Sequence, residues 1–254
     1  MPPRPYILKE TNWKSAQKTE FEVAVLPWGA TEAHNYHLPY GTDIYETEAV
    51  ADESAKKAWE NGARIIVLPA IPFGINTQQM DIPLTINMNP ATQAAVLIDV
   101  IDSLESHDIK KLVILNGHGG NDFKNMIRTA QRKTSIFLCQ VNWFAITEME
   151  GLFSESGDHA NEMETSLMQH ISPQLVLPLS DAGDGAAKRF KIKGLREKWA
   201  WAPRQWTQVT FDTGVGNPRK ATKEKGEAYF DQITTEIADF FLELNNASPD
   251  SMYE

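Results

Sequence analysis

Four side chains able to ligate a metal, Glu32, His34, His37 and Asp43, fall within the segment EAHNYHLPYGTD, directly after an apolar run at residues 23–27. Carboxylate and imidazole together are the donor set of Zn, Mn or Fe, whereas Ca or Mg prefer oxygen alone. Glu32 and His34 alternate, so in an extended segment both face one side and can grip one ion, and Asp43 returns after the Leu38-Pro39 bend. A solvated loop is also polar, but it has no use for donors at this density. The segment therefore reads as a catalytic metal site.

Two further segments carry the same kind of chemistry. In Asn116-Gly117-His118-Gly119-Gly120-Asn121 the glycines let backbone approach a ligand, and His118 is the side chain with real ligand capacity. A phosphate-binding turn or a plain strand-to-helix turn would look similar; at the same sheet edge as Glu32, however, His118 would complete the first site. Residues 158–166 open a helical pattern with His159 near its start and Glu164 on a face shared with Leu167 and Met168. A carboxylate beside an apolar face needs a partner, and a metal is a good one. The competing reading is an N-cap cluster, with Asp158 or Asn161 capping and Glu162 favouring the helix start.

The elements that must position these residues follow from periodicity. Apolar runs at 23–26, 64–68, 111–115 and 136–141 read as strands buried on both faces. Helical patterns at 45–59, 91–104 and 122–132 lie between or beside them, and 161–169 and 222–244 supply two more. Alternating strand and helix predict an α/β fold with a mainly parallel sheet covered on both sides. Ligands leaving the strand at 23–26 would then sit at the carboxyl edge, where open α/β sheets place their crevice. Periodicity fails from 178 to 216, which predicts an irregular excursion over that face.

Composition sets the outer bounds. A chain of 254 residues, 42% hydrophobic and 23% charged, without a Gly, Pro or Ser tract, predicts one domain spanning 1–254. A net charge of −10 and no basic stripe argue against nucleic-acid binding. No apolar run approaches the roughly 18 residues that would cross a bilayer, and Met1-Pro2-Pro3-Arg4-Pro5 is not a signal peptide, so a cytoplasmic protein is expected. Cys139 is the one cysteine, which excludes an internal disulfide and reads as a buried strand residue.

In order and spacing, these segments resemble the creatininase (creatinine amidohydrolase) family. The likeness rests on Glu32, His34, His37, Leu38, Pro39 and Asp43, on the motif from Asn116 to Asn121, and on His159-Ala160 with Glu164-Thr165-Ser166. The stretch GVGNPRKAT at 214–222 with Lys225-Gly226-Glu227 is similar to the family's glycine-proline turn, so the match runs from about residue 20 to 240. It implies a three-layer α/β/α sandwich, two divalent ions, usually zinc with Mn or Fe as options, and a homo-oligomer, commonly a hexamer. Carried over by position, Glu32 and His118 would bind one ion and His34 the other, Asp43 would bridge them, and Glu164 is the candidate for the remaining ligand. His159 would shuttle a proton, and His37 would orient a ligand carboxylate. Creatininase proper places a glutamate where this chain has Gly120, which weakens creatinine as the substrate. Asn35 replaces the family glycine, so Asn35, Tyr36 and Trp28 give the pocket its own rim, and Trp143 could stack a planar ring.

Two divalent ions can lower the pKa of a water and polarise a carbonyl. The implied function is a metal-dependent hydrolase that opens a small polar cyclic amide or removes an acyl group at a C–N bond. The alternative is ring-opening C–C hydrolysis of a cyclic diketone derived from an inositol or sugar, with Gln78, Gln79 and Asp81 suiting hydroxyl groups. A third reading is a metal-stabilised binding protein without catalysis, which requires closed coordination rather than an open position.

Overall fold

β1 (Val23–Trp28), β2 (Ile65–Val67), β3 (Lys111–Asn116) and β4 (Phe137–Asn142) form a parallel sheet in the order β2-β1-β3-β4. This computed structural model describes residues 3–146 and 151–253; Met1 and Pro2 of the proline-rich start lie outside them. Every residue of β1 and β3 is buried, as unbroken apolar runs require in a sheet covered on both faces. The four strands lie where the apolar runs predict, extended by one residue or two at the carboxyl edge for β1, β3 and β4.

The helices are α1 (Trp13–Ala16), α2 (Thr42–Glu60), α3 (Pro90–Glu105), α4 (Lys124–Ala130), α5 (Glu162–Ile171), α6 (Lys193–Arg196), α7 (Trp206–Val209) and α8 (Lys223–Asn246). Because strand side chains alternate, Val23 and Val25 enter one core with Val50 and Ala51 of α2, Leu167 of α5 and Ile233 of α8. Ala24, Leu26 and Trp28 enter the other with Leu97 of α3 and Phe123 and Ala130 beside α4. The result is a three-layer α/β/α sandwich. Helix ends follow local chemistry: Pro90 opens α3, Asn161 caps α5 by accepting from Glu164 N at 3.1 Å, and Thr222 caps α8 by accepting from Lys225 N at 3.3 Å.

Cys139 is half-buried in β4, and burial pushes its thiol up to about 12, so it carries no thiolate chemistry at neutral pH. Segment 178–216 holds only the single turns α6 and α7, as its missing periodicity predicts. Among the described residues no helix is long and apolar enough to cross a membrane.

Candidate metal centre

Trp28 and Asn116 pair at the carboxyl edge of β1 and β3, so the loops leaving these strands start side by side. One loop delivers Glu32 and His34, the other His118, while α5 and the residues before it deliver Glu164 and His159. Asp43, expected in a loop, lies instead in the first turn of α2, because that helix begins at Thr42. There its carboxylate also meets the positive end of the helix dipole.

Two groups of donors converge, Glu32-Asp43-His118 and His34-Asp43-Glu164, and in each the candidate ligand atoms lie within 4.8 Å of one another. Asp43 belongs to both: its Oδ1 is 2.9 Å from His34 Nε2 and its Oδ2 3.0 Å from His118 Nδ1. Glu32 Oε1 is 2.9 Å from His118 Nδ1. Glu32, His34 and His159 form a third such group, with His159 Nδ1 3.8 Å from Glu32 Oε1.

The ring orientations test whether these residues suit a cation. His34 Nδ1 lies 3.1 Å from the Glu32 carbonyl, His118 Nε2 3.0 Å from that of Ile75, and His159 Nε2 2.8 Å from that of Ala33. A carbonyl can only accept, so these nitrogens carry protons and the opposite ones turn toward the carboxylates. Lone pairs facing lone pairs repel unless a positive charge lies between them. His34 Nε2 and Asp43 Oδ2, both buried, have no aligned hydrogen bond. The donor set fits a divalent ion.

Without an ion, the same contacts draw protons onto the rings of His34 and His118, so a proton stands where the cation would lie. Burial works to lower the His34 pKa, but Asp43 outweighs it and raises the imidazole to about 9. Burial likewise opposes charge on His118, and Glu32 and Asp43 overcome it, raising His118 well above its usual range. Glu32 and Asp43 are held low despite burial, Glu32 chiefly by His118 and Asp43 chiefly by His34. Burial pushes Glu164 up to about 7, in spite of the backbone N–H that Ala160 donates to it. Burial, then His34, lowers His159 to about 4, so its imidazole is neutral at physiological pH. The His159 ring stacks on His34 with centroids 4.1 Å apart and meets the edge of Trp206 at 5.2 Å.

Surrounding residues fix this arrangement. Asn116 Nδ2 donates to the His118 carbonyl at 2.9 Å, and Asn121 Nδ2 donates to Asn116 Oδ1 at 3.0 Å, which stitches the turn. A Cβ on Gly117 would collide with Thr47 of α2, so only glycine lets this turn pack there. The other oxygen of Glu32, Oε2, accepts from Gln79 Nε2. Gln79→Ala is expected to weaken metal binding by about 10–100-fold, the usual loss when a ligand's supporting hydrogen bond goes; chelator competition on the purified variant measures it.

Several expectations need correction. Trp28 is fully buried, its Nε1 donating to the Phe73 carbonyl at 2.9 Å and its ring 4.9 Å from Phe123, so it anchors the core instead of the rim. Trp143 is also fully buried, with Nε1 3.3 Å from Thr47 Oγ1, and presents no face to a substrate. Asn35 is buried with φ of 54°, the left-handed region that glycine takes freely and asparagine tolerates. Its amide clasps Gly183, accepting from Gly183 N at 2.9 Å. Tyr36 alone of the four stands on the surface, 60% exposed, with its hydroxyl donating to the Phe211 carbonyl. His37 orients no carboxylate: its Nε2 lies 2.9 Å from the Thr165 hydroxyl. Of the side chains read as suiting substrate hydroxyls, Gln79 gives its Nε2 to Glu32, and Asp81 accepts from Thr207 Oγ1. The two remaining histidines match no motif: His107 is exposed, and His170 is half-buried against Phe230. Glu162 is structural, taking Lys225 and the backbone N–H groups of Ser154 and Glu155.

One neighbour escaped the sequence reading. Glu46, one turn beyond Asp43, is fully buried, and burial, then Glu164 and Asp43, push its carboxyl well above the usual range. The visible signal was a carboxylate on the same helical stripe as Val50. Trp206 comes to the His159 ring from the aperiodic excursion. Arg204 stacks on its ring at 4.5 Å while pairing with Asp158 at 3.0 Å, which ties the excursion to the segment carrying His159.

Residues 9–241 match the Creatininase family, described as creatinine amidohydrolase. The chain is 27% identical to the mycofactocin precursor peptide peptidase of Mycobacterium ulcerans over 88% of its own length and 86% of that protein's. It is 27% identical to the creatinine amidohydrolase of Pseudomonas putida, covering 87% and 89% of the two chains. A candidate creatinine amidohydrolase from Bacteroides fragilis is similar in structure, with a TM-score of 0.91, 43% identity and coverage of 98% and 99%. Creatininase structures in Zn-Zn and Mn forms share the fold, with TM-scores of 0.80 and 0.76, identities of 23% and 22%, and coverage of 96% of this chain and 100% of theirs.

Proposed function

The chain belongs to the creatininase family of hydrolases, and from that premise we propose that it hydrolyses the C–N bond of a small amide or peptide substrate with two divalent ions, zinc or manganese. Glu32, Asp43 and His118 would hold one ion, and His34, Asp43 and Glu164 the other. The observation that carries this reading is the Asp43 carboxylate, which turns one oxygen to His34 and the other to His118. When bound, such a pair supplies Lewis acidity, making a water more acidic and polarising a carbonyl. Three protein donors per ion leave a position open, as catalysis needs and a purely structural site does not.

The chain's own groups divide the remaining work. His159 holds the acid-base function at Nδ1, since its Nε2 is committed to the Ala33 carbonyl. Its neutral form takes a proton from the attacking water and returns it to the leaving nitrogen. Trp206, nearly fully buried, keeps bulk water off the far side of the His159 ring. The C–N reading is favoured over C–C cleavage of a polyol ketone because the matching family is described as creatinine amidohydrolase and the similar proteins of Mycobacterium ulcerans and Pseudomonas putida are a peptide peptidase and a creatinine amidohydrolase.

Stripping the protein with a chelator is expected to abolish turnover while leaving the sandwich folded, because both cores are apolar and contain none of the proposed ligands. Elemental analysis with assays on cyclic amides, short peptides and cyclic polyol ketones tests this. Near two ions per chain with amide or peptide turnover supports the reading; ketone cleavage alone replaces it, and no binding after reconstitution removes it.

A further inference from the structure

Glu46 is a buried carboxylate without a partner among the described residues. It is 0% exposed, and neither Oε1 nor Oε2 has a hydrogen bond. Buried carboxylates are ordinarily paired or protonated, and one left orphaned is costly unless something compensates it. The groups that act on it electrostatically, Asp43 of its own helix and Glu164 of α5, are themselves acidic. Both belong to the His34-Asp43-Glu164 donor group. Three carboxylates thus crowd one side of the centre with a single imidazole, His34, among them.

Gly120 gives a reason for this crowding. Any Cβ there would collide with the Ile75 carbonyl oxygen and the His118 ring, so the turn after β3 cannot supply an acidic side chain to the second ion. Negative charge must reach it from the helices instead.

Resting on the two-ion reading above, we propose that Glu46 is a positioning residue of the second-ion site, a carboxylate whose charge stabilises the cation held by His34, Asp43 and Glu164. Its oxygens do not converge with those donors, so it acts behind Asp43 and Glu164 as a countercharge that the field of a bound cation would keep ionised. The low dielectric around a fully buried group makes such a charge effective without contact.

Calorimetric titration of metal-free protein with Zn²⁺ and Mn²⁺, on wild type, Glu46→Gln and Glu46→Met, tests this, together with melting of each metal-free form. Both variants should keep the first ion's affinity and lose about 10–100-fold on the second, the range typical of residues behind metal ligands. Their metal-free melting temperatures should equal or exceed wild type, since an orphaned carboxylate has been removed. A merely structural role would do the reverse, lowering metal-free melting and sparing the second affinity. Two ions in wild type with an unchanged second affinity in both variants overturns the role of Glu46 alone. A wild type that binds no metal overturns the two-ion reading itself.

Discussion

Asp43→Ala is expected to empty both ion positions and reduce turnover by at least about 10³-fold, since a metal pair contributes several kcal/mol and each 1.4 kcal/mol is tenfold in rate. Among the described residues, no other side chain belongs to both the Glu32-His118 and the His34-Glu164 groups. Its removal leaves each ion two protein donors, whereas removing Glu32 or Glu164 would weaken one ion directly. The fold should survive, because Asp43 sits in the first turn of α2 while the sandwich is held by Val50, Ala51, Ala55 and Ala58 further along that helix. Elemental analysis and circular dichroism of the variant read the two effects separately. Normal metal content would refute the bridging assignment, and an unfolded variant would show that Asp43 is needed for more than the ions.

His159→Ala is expected to have the opposite signature, retaining both ions while losing about 10²–10⁴-fold in rate, the range of general acid-base catalysis. The side chain is well placed for this. Its imidazole is held near 4 by burial and by His34, so the proton-accepting form prevails at neutral pH. A base works deprotonated, so activity limited by His159 should fall only as pH drops toward about 4, and stay level from there to neutrality. A pH-rate profile of wild type beside the metal content of His159→Ala decides the matter. Loss of an ion in the variant would instead make His159 a ligand through its group with Glu32 and His34.

Much of the fold was legible because strand and helix carry different periods. The runs at β1, β2, β3 and β4 were apolar throughout, as burial on both faces demands, and the long helices showed their stripes. The ligand motifs were legible for a related reason: acidic and imidazole groups at close spacing have no cheaper use in a buried loop. The start of α2 was missed, because Gly41 and Thr42 gave no strong cap and the stripe becomes evident only further along the helix. The rim was misread more seriously. Trp28 lies next to a motif segment in sequence and Trp143 directly after β4, but strand alternation turns Trp28 into one layer and Trp143 packs into the other with its Nε1 at Thr47.

The sequence by itself determined the layer order, the carboxyl-edge location of the site and the ligand types, because periodicity and donor chemistry are local properties of the chain. Only the tertiary structure decided the pairings that turn a motif into a centre. It set which nitrogen of each histidine turns to the acidic groups, by placing the carbonyls of Ile75 and Ala33 opposite the rings of His118 and His159. It gave Gln79 to Glu32, brought Trp206 to His159 from 47 residues further along the chain, and left Glu46 without a partner beside Glu164. Each of these depends on the distance between atoms far apart in sequence, which no local pattern encodes.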